Sequence, residues 1–97
     1  MISLDDRTAA RLAELFKALS DPSRVRIIAV LTYGEMNVSA LAEEVGLSES
    51  AVSHQLRGLR QMRLVRARKV GREVFYALDD DHIADLFARG YDHVQHG

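Results

Sequence analysis

The sequence predicts a mainly α domain with one β-hairpin, an α+β fold in a single unit over residues 1–97. Three observations carry that expectation. Apolar residues recur at helical spacing in several separate stretches. After Leu64 the period drops from about 3.6 residues to about 2. Between the third and fourth helical stretches Gly46-Leu47-Ser48 is too short for anything but a tight turn. The expected order is helix, helix, short extended piece, helix, helix, strand, strand, helix.

Residues 5–19 read as the first helix, opened by Asp5 or Asp6, with Leu12, Leu15, Phe16 and Leu19 on one stripe. Ser20-Asp21-Pro22 stops it and starts the next. Asp21 can accept from the free N–H groups of a new helix, and Pro22 needs no N–H at the first helical position. The second helix turns Ile27, Ile28 and Leu31 inward, projects Arg24 and Arg26, and ends near Tyr33-Gly34. Met36-Asn37-Val38 is a short extended piece. A third helix of about one and a half turns carries Leu41, Ala42 and Val45 and stops at Gly46.

Ser48 can cap the fourth helix, residues 49–62, which completes a helix-turn-helix over about 38–62. Its inner side is Val52, Leu56 and Leu59. Nearly opposite lie Ser50, Ser53, His54, Arg57 and Gln61, short hydroxyls, an imidazole and an arginine suited to phosphates and base edges in a major groove. A solvated surface helix would more often pair Glu with Lys, and this one has no acid after Glu49. Residues 64–78 then alternate as a hairpin, Val65, Ala67 and Lys69 against Arg66 and Arg68, then Val74, Tyr76 and Leu78 against Glu73, Phe75 and Ala77, reversing at Val70-Gly71-Arg72. Following a recognition helix, it reads as a wing whose Lys69 and Arg72 reach backbone phosphate.

A formal charge of −1 looks unpromising for such a role, but its distribution does not. Residues 50–72 hold Arg57, Arg60, Arg63, Arg66, Arg68, Lys69 and Arg72 and no acid, while Asp79, Asp80, Asp81, Asp85 and Asp92 lie beyond. A merely solvated face would mix the signs, so the segregation favours phosphate contact.

The last helix, residues 80–95, has Ile83, Leu86, Phe87, Gly90 and Val94 on one stripe and three of the four histidines at its two ends. His82 and His93 fall on nearly the same face but roughly 16 Å apart along the axis, so one helix cannot bring them to one ion. An antiparallel copy could. Such a copy is expected on other grounds too, because so small a domain cannot easily bury the stripes of both the first and the last helix, which favours a homodimer.

The absence of cysteine excludes disulfides and thiolate metal sites, and with no apolar run of membrane-spanning length and no signal-peptide pattern a cytoplasmic location is expected. No membrane partner is expected.

Leu19-Ser20-Asp21-Pro22-Ser23-Arg24-Val25-Arg26-Ile27, Ser50-Ala51-Val52-Ser53-His54-Gln55-Leu56-Arg57 and the hairpin together resemble the ArsR/SmtB family of winged helix-turn-helix repressors. The resemblance covers nearly the whole chain. It implies a homodimer through the first and last helices, bound to a palindromic double-stranded operator and released by an inducer, usually a metal ion. The DNA-contacting set it implies is Ser50, Ser53, His54, Gln55 and Arg57, with Lys69 and Arg72 on the wing.

One class of the family senses metal through a cysteine motif at the third helix; here that stretch is Asn37-Val38-Ser39-Ala40-Leu41-Ala42, without a thiol. Another uses the last helix, with Asp-x-His at its start and His-x-x-His at its end, and Asp80, His82, His93 and His96 match it. His93 and His96 can share an ion from one helix turn. Asp80 and His82 would point ~200° apart on a regular helix, so Asp80 must sit at the entry with non-helical dihedrals. The ion would take Asp80 and His82 from one subunit and His93 and His96 from the other, two sites per dimer. Three imidazoles and a carboxylate suit Zn(II), with Co(II) as a close mimic; Ni(II) is a third candidate but prefers more ligands than are evident.

Two rivals stand beside the sensor. One is a repressor of the same family that does not respond to metal. The other is a small metalloenzyme, which would need an open coordination position, a general base and a substrate pocket. No enzyme activity is expected.

Overall fold

Every helix begins where a short polar side chain takes up the first free backbone N–H groups. Asp5 accepts from Thr8 N, Asp21 from Arg24 N, Asn37 from Ala40 N, Ser48 from Ala51 N, and Asp80 from His82 N and Ile83 N. These caps set α1 (Asp6–Ala18), α2 (Pro22–Leu31), α3 (Val38–Val45), α4 (Glu49–Gln61) and α5 (Asp81–His96). The computed structural model describes residues 1–97 and adds β1 (Met36–Asn37), β2 (Val65–Val70) and β3 (Glu73–Leu78).

The strands form one antiparallel sheet in the order β1-β3-β2. The expected hairpin is therefore a three-stranded sheet, because Met36 and Asn37 pair with Tyr76 and Phe75. Three local expectations are corrected with it. Val38 opens α3 instead of extending β1, since Asn37 caps there; α3 is consequently eight residues, longer than one and a half turns. Val70 belongs to the strand and pairs with Glu73, leaving Gly71-Arg72 as the whole turn. The positive φ of 62° falls on Gly71 alone, the pattern of a II′ turn with glycine at its first central position. The clean alternation expected of the second strand is also absent: Val74 to Leu78 are all half-buried. β3 is the central strand, paired along both edges, and the Arg68 guanidinium lies 5.9 Å from the Phe75 ring centre.

The core is twelve buried apolar residues, with no buried polar side chain. Ile27, Ile28 and Leu31 of α2, Leu41 and Ala42 of α3, and Val52, Leu56 and Leu59 of α4 form its centre, closed by Leu64, Val65 and Ile83. The inward residues expected of α2 and α4 are those found. From α1 the core receives only Ala18 in full, and from α5 only Ile83. Phe16, Tyr91 and Val94 stay 56%, 57% and 77% exposed, so the surplus apolar surface lies on these two helices.

Candidate functional site

The helix-turn-helix owes its geometry to two caps two residues apart in the chain. Gly46 closes α3 at φ 72°, where a side chain would be strained, and Ser48 starts α4 at once. Burying Val52, Leu56 and Leu59 then turns the opposite face of α4 outward, and Ser50, His54, Arg57 and Gln61 are exposed on it. Ser53 is half-buried at its edge. Gln55 is half-buried on the flank toward α2, where its side-chain oxygen accepts from Arg24 Nε at 2.8 Å. Arg24 does not project as expected: it lies between helices, and Arg26 alone is exposed.

Lys69 and Arg72 are exposed at the tip of the β2–β3 hairpin. Two other arginines of the basic run are used by the fold. Arg68 makes a two-point ion pair with Glu35, and Arg66 Nη1 donates to the Asp79 carbonyl at 2.9 Å. The guanidinium hydrogen bond from Arg68 holds the Glu35 carboxyl below its ordinary range, and the same bond raises Arg68. Asn37 Nδ2 adds a 3.0 Å hydrogen bond to Glu73. The wing is thus pinned to the α2–β1 loop and to β1, while Arg57, Arg60, Arg63, Lys69 and Arg72 carry no ion pair.

At the start of α5, Asp80 has φ −155° and ψ 175°, extended rather than helical. Its Oδ1 accepts from His82 N at 2.9 Å and its Oδ2 lies 3.5 Å from His82 Nδ1, so the two side chains share one side of the helix entry. The other expected ligands, His93 and His96, are exposed in the last turn, with His96 Nε2 3.7 Å from Asp92 Oδ1. The structure brings Asp80 to His82 but neither to His93 or His96, and one chain gathers no cluster of three metal-ligating side chains.

Comparison with known proteins bears on the same regions. The family model for bacterial regulatory proteins of the arsR family matches residues 21–67, from the α2 cap into the first strand of the wing. The Synechocystis protein called transcriptional repressor SmtB homolog is 50% identical over 98% of this chain and 70% of its own length. The chain belongs to the ArsR/SmtB family.

It is a helix-turn-helix transcriptional regulator of that family and not an enzyme. The HTH-type transcriptional regulator NmtR of Mycobacterium tuberculosis is 43% identical over 96% of this chain and 78% of its own. The solution structure of apo-NmtR superposes with a TM-score of 0.83, at 41% identity over 100% of this chain and 82% of that one. A homodimeric winged helix-turn-helix DNA-binding domain from Mycobacterium bovis, a possible ArsR-family regulator, gives a TM-score of 0.84 at 32% identity over 98% and 91% of the two chains. No helix of this ArsR/SmtB regulator is long and apolar enough to cross a membrane.

Phe16, Leu19, Ile28, Leu86, Phe87 and Val94 line an apolar groove of about 380 Å³ between α1, α2 and α5. Gly90 sits in the same groove, and no atom of its own chain approaches where its Cβ would be. Three participants escaped the reading of the sequence: Glu35, Arg24 and Asp92. The first two act across more than thirty positions of chain, a separation that leaves no periodicity; Asp92 stands at i,i+4 from His96 and was visible as such.

Proposed function

We propose that this regulator is a metal-responsive repressor: residues 1–97 act as one winged-helix unit whose homodimer holds a palindromic operator, and Zn(II), with Co(II) as a close mimic, releases the DNA. The observation that carries this reading is the conformation of Asp80. Its extended dihedrals turn an Asp-x-His spacing that a continuous helix would split into two donors on one side, at an exposed helix start beside an uncovered apolar face.

In the dimer, helix α5 packs antiparallel to its copy, burying the stripe of Leu86, Phe87 and Val94 together with Phe16 of α1. The donor chemistry fits zinc: one carboxylate and three imidazoles make a four-coordinate set. Asp80 and His82 of one subunit would hold the ion with His93 and His96 of its partner. The ion, when bound, supplies a cross-link between the two helices. His54, on the outer face of α4, belongs to the DNA-contacting set with Ser50, Ser53, Gln55 and Arg57, and Lys69 and Arg72 reach phosphate from the wing. Cross-linking the α5 helices fixes a spacing of the two α4 helices that fits consecutive major grooves poorly. Such coupling is reciprocal, so operator DNA weakens zinc binding by the factor by which zinc weakens DNA binding.

Fluorescence anisotropy of a duplex selected by the protein, titrated with and without Zn(II), tests the switch. Equal affinity in both arms would sink it. His93→Ala should bind the duplex as the parent does and lose the response to zinc. Native mass spectrometry separates the sensor from a metal-independent regulator of the same family: the sensor takes up one zinc per subunit.

A further inference from the structure

Arg24 occupies a place that neither the fold nor the proposed switch explains. It stands in the first turn of α2, half-buried, with no acidic partner. Its Nε donates to Gln55 Oε1 at 2.8 Å, and its Nη1 donates to the carbonyl of Ala18, the last residue of α1, at 3.4 Å. Its Nη2 lies over Gly58, 3.7 Å from where a Cβ would sit. One planar guanidinium therefore spans three elements: the end of α1, the start of α2 and the flank of the recognition helix. Apart from Ala18 and the half-buried Leu15 and Leu19, α1 gives little to the core of its own chain. A polar tie between α1 and α4 therefore adds to the few apolar contacts that set their relative position.

We propose that Arg24 is a positioning residue that ties α1, and through it the dimer seam, to the recognition helix by way of Gln55. The inference rests on reading α4 as the DNA-facing helix and α1 as part of the seam. Two consequences follow from the chemistry. Because arginine only donates, Gln55 must present its oxygen inward and its NH₂ outward, so the amide is held in one orientation. And because the tie needs two divergent donors in one plane, lysine cannot replace it: an ammonium on a single stem serves Gln55 or the Ala18 carbonyl, not both with this geometry.

The test uses the full chain and two probes: a duplex carrying the palindrome that the wild-type protein selects from a randomised library, and a scrambled duplex of the same length. Arg24→Lys, Gln55→Leu and the double variant are compared with the parent for melting temperature, dimer mass and affinity over a range of salt. Arg24→Lys is expected to keep dimer and fold and to lose on the order of tenfold in affinity for the selected duplex, the worth of about one charge-assisted hydrogen bond. Affinity for the scrambled duplex and the salt slope should not change, since no phosphate contact is lost; a direct contact would reduce the slope by about one. Gln55→Leu should reproduce the loss, and the double variant should lose no more than either single. Gly58→Ala, whose methyl meets the guanidinium at ordinary contact distance, should bind as the parent and melt higher, because glycine in a helix interior is destabilising against alanine. Gly58→Leu should displace the guanidinium and behave as Arg24→Lys. Full retention of selectivity in Arg24→Lys would overturn the proposal, as would additive losses in the double variant or a reduced salt slope. Selection of no duplex by the wild-type protein would remove the DNA-facing reading of α4 and this tie with it.

Discussion

At the entrance to α5 the Asp80 carboxylate caps the helix with Oδ1 and leaves Oδ2 beside the His82 ring, so substitutions there separate two roles. Asp80→Ser keeps a capping oxygen and removes the charged donor; Asp80→Ala removes both, at a cost to the metal-free protein of about 1 kcal/mol. Thermal melts should therefore rank Ser above Ala, while zinc titrations should show both weakened. Parent-like zinc affinity in Asp80→Ser would strike Asp80 from the ligand set. Glu35 offers a pH-dependent test of the wing. Its folded-state pKa lies below the unfolded one because Arg68 bonds the carboxylate. The sign follows: this contribution is present above the ordinary glutamate value of about 4.3 and fades as pH falls through the depressed one. A carboxyl titration followed by NMR should find Glu35 shifted to lower pH in the parent and returned to the ordinary range in Arg68→Ala.

Elements were legible where a local signal made them. Asp21-Pro22, Gly46 and Ser48 mark helix ends by their own chemistry, and the stripes of α2 and α4 are the buried faces found. β1 was only half visible. Two residues carry no period, and their strand character comes from Phe75 and Tyr76, far along the chain. The half-burial of β3 was hidden too: alternation describes a strand with one wet face, whereas Phe75 lies against the Arg68 guanidinium. The junction between α4 and β2 holds a feature that no pattern announces. Arg63 has φ 59°, just past the helix end, where Leu64 N donates to Leu59 O at 2.9 Å. That is the place of a glycine in a helix stop, and a side chain there costs roughly 1–2 kcal/mol. Arg63→Gly should raise the melting temperature at fixed protein concentration, by several degrees for a domain of this size. An unchanged or lower melting point would show that the arginine side chain repays the strain.

For the whole molecule, the telling contrast is between a centre that is closed and two helices that are not. α2, α3 and α4 bury their stripes within the chain, whereas α1 and α5 keep Phe16, Tyr91 and Val94 in water. The sequence allowed this to be foreseen by counting apolar stripes against the helices available to cover them. The candidate metal site was legible as spacing and not as geometry, since one chain does not bring its two halves together. That the proposed ligands stand at opposite ends of a sixteen-residue helix has a genetic consequence. A chain with His82 replaced has lost one half-site, and a chain with His93 and His96 replaced has lost the other. Each should be blind to zinc by itself. Mixed as a heterodimer, they restore one complete site and leave one void, so two inactive alleles should complement. Mass spectrometry should then find one zinc in the mixed dimer and none in either parent. Rescue that never occurs would mean that each ion is held within a single chain.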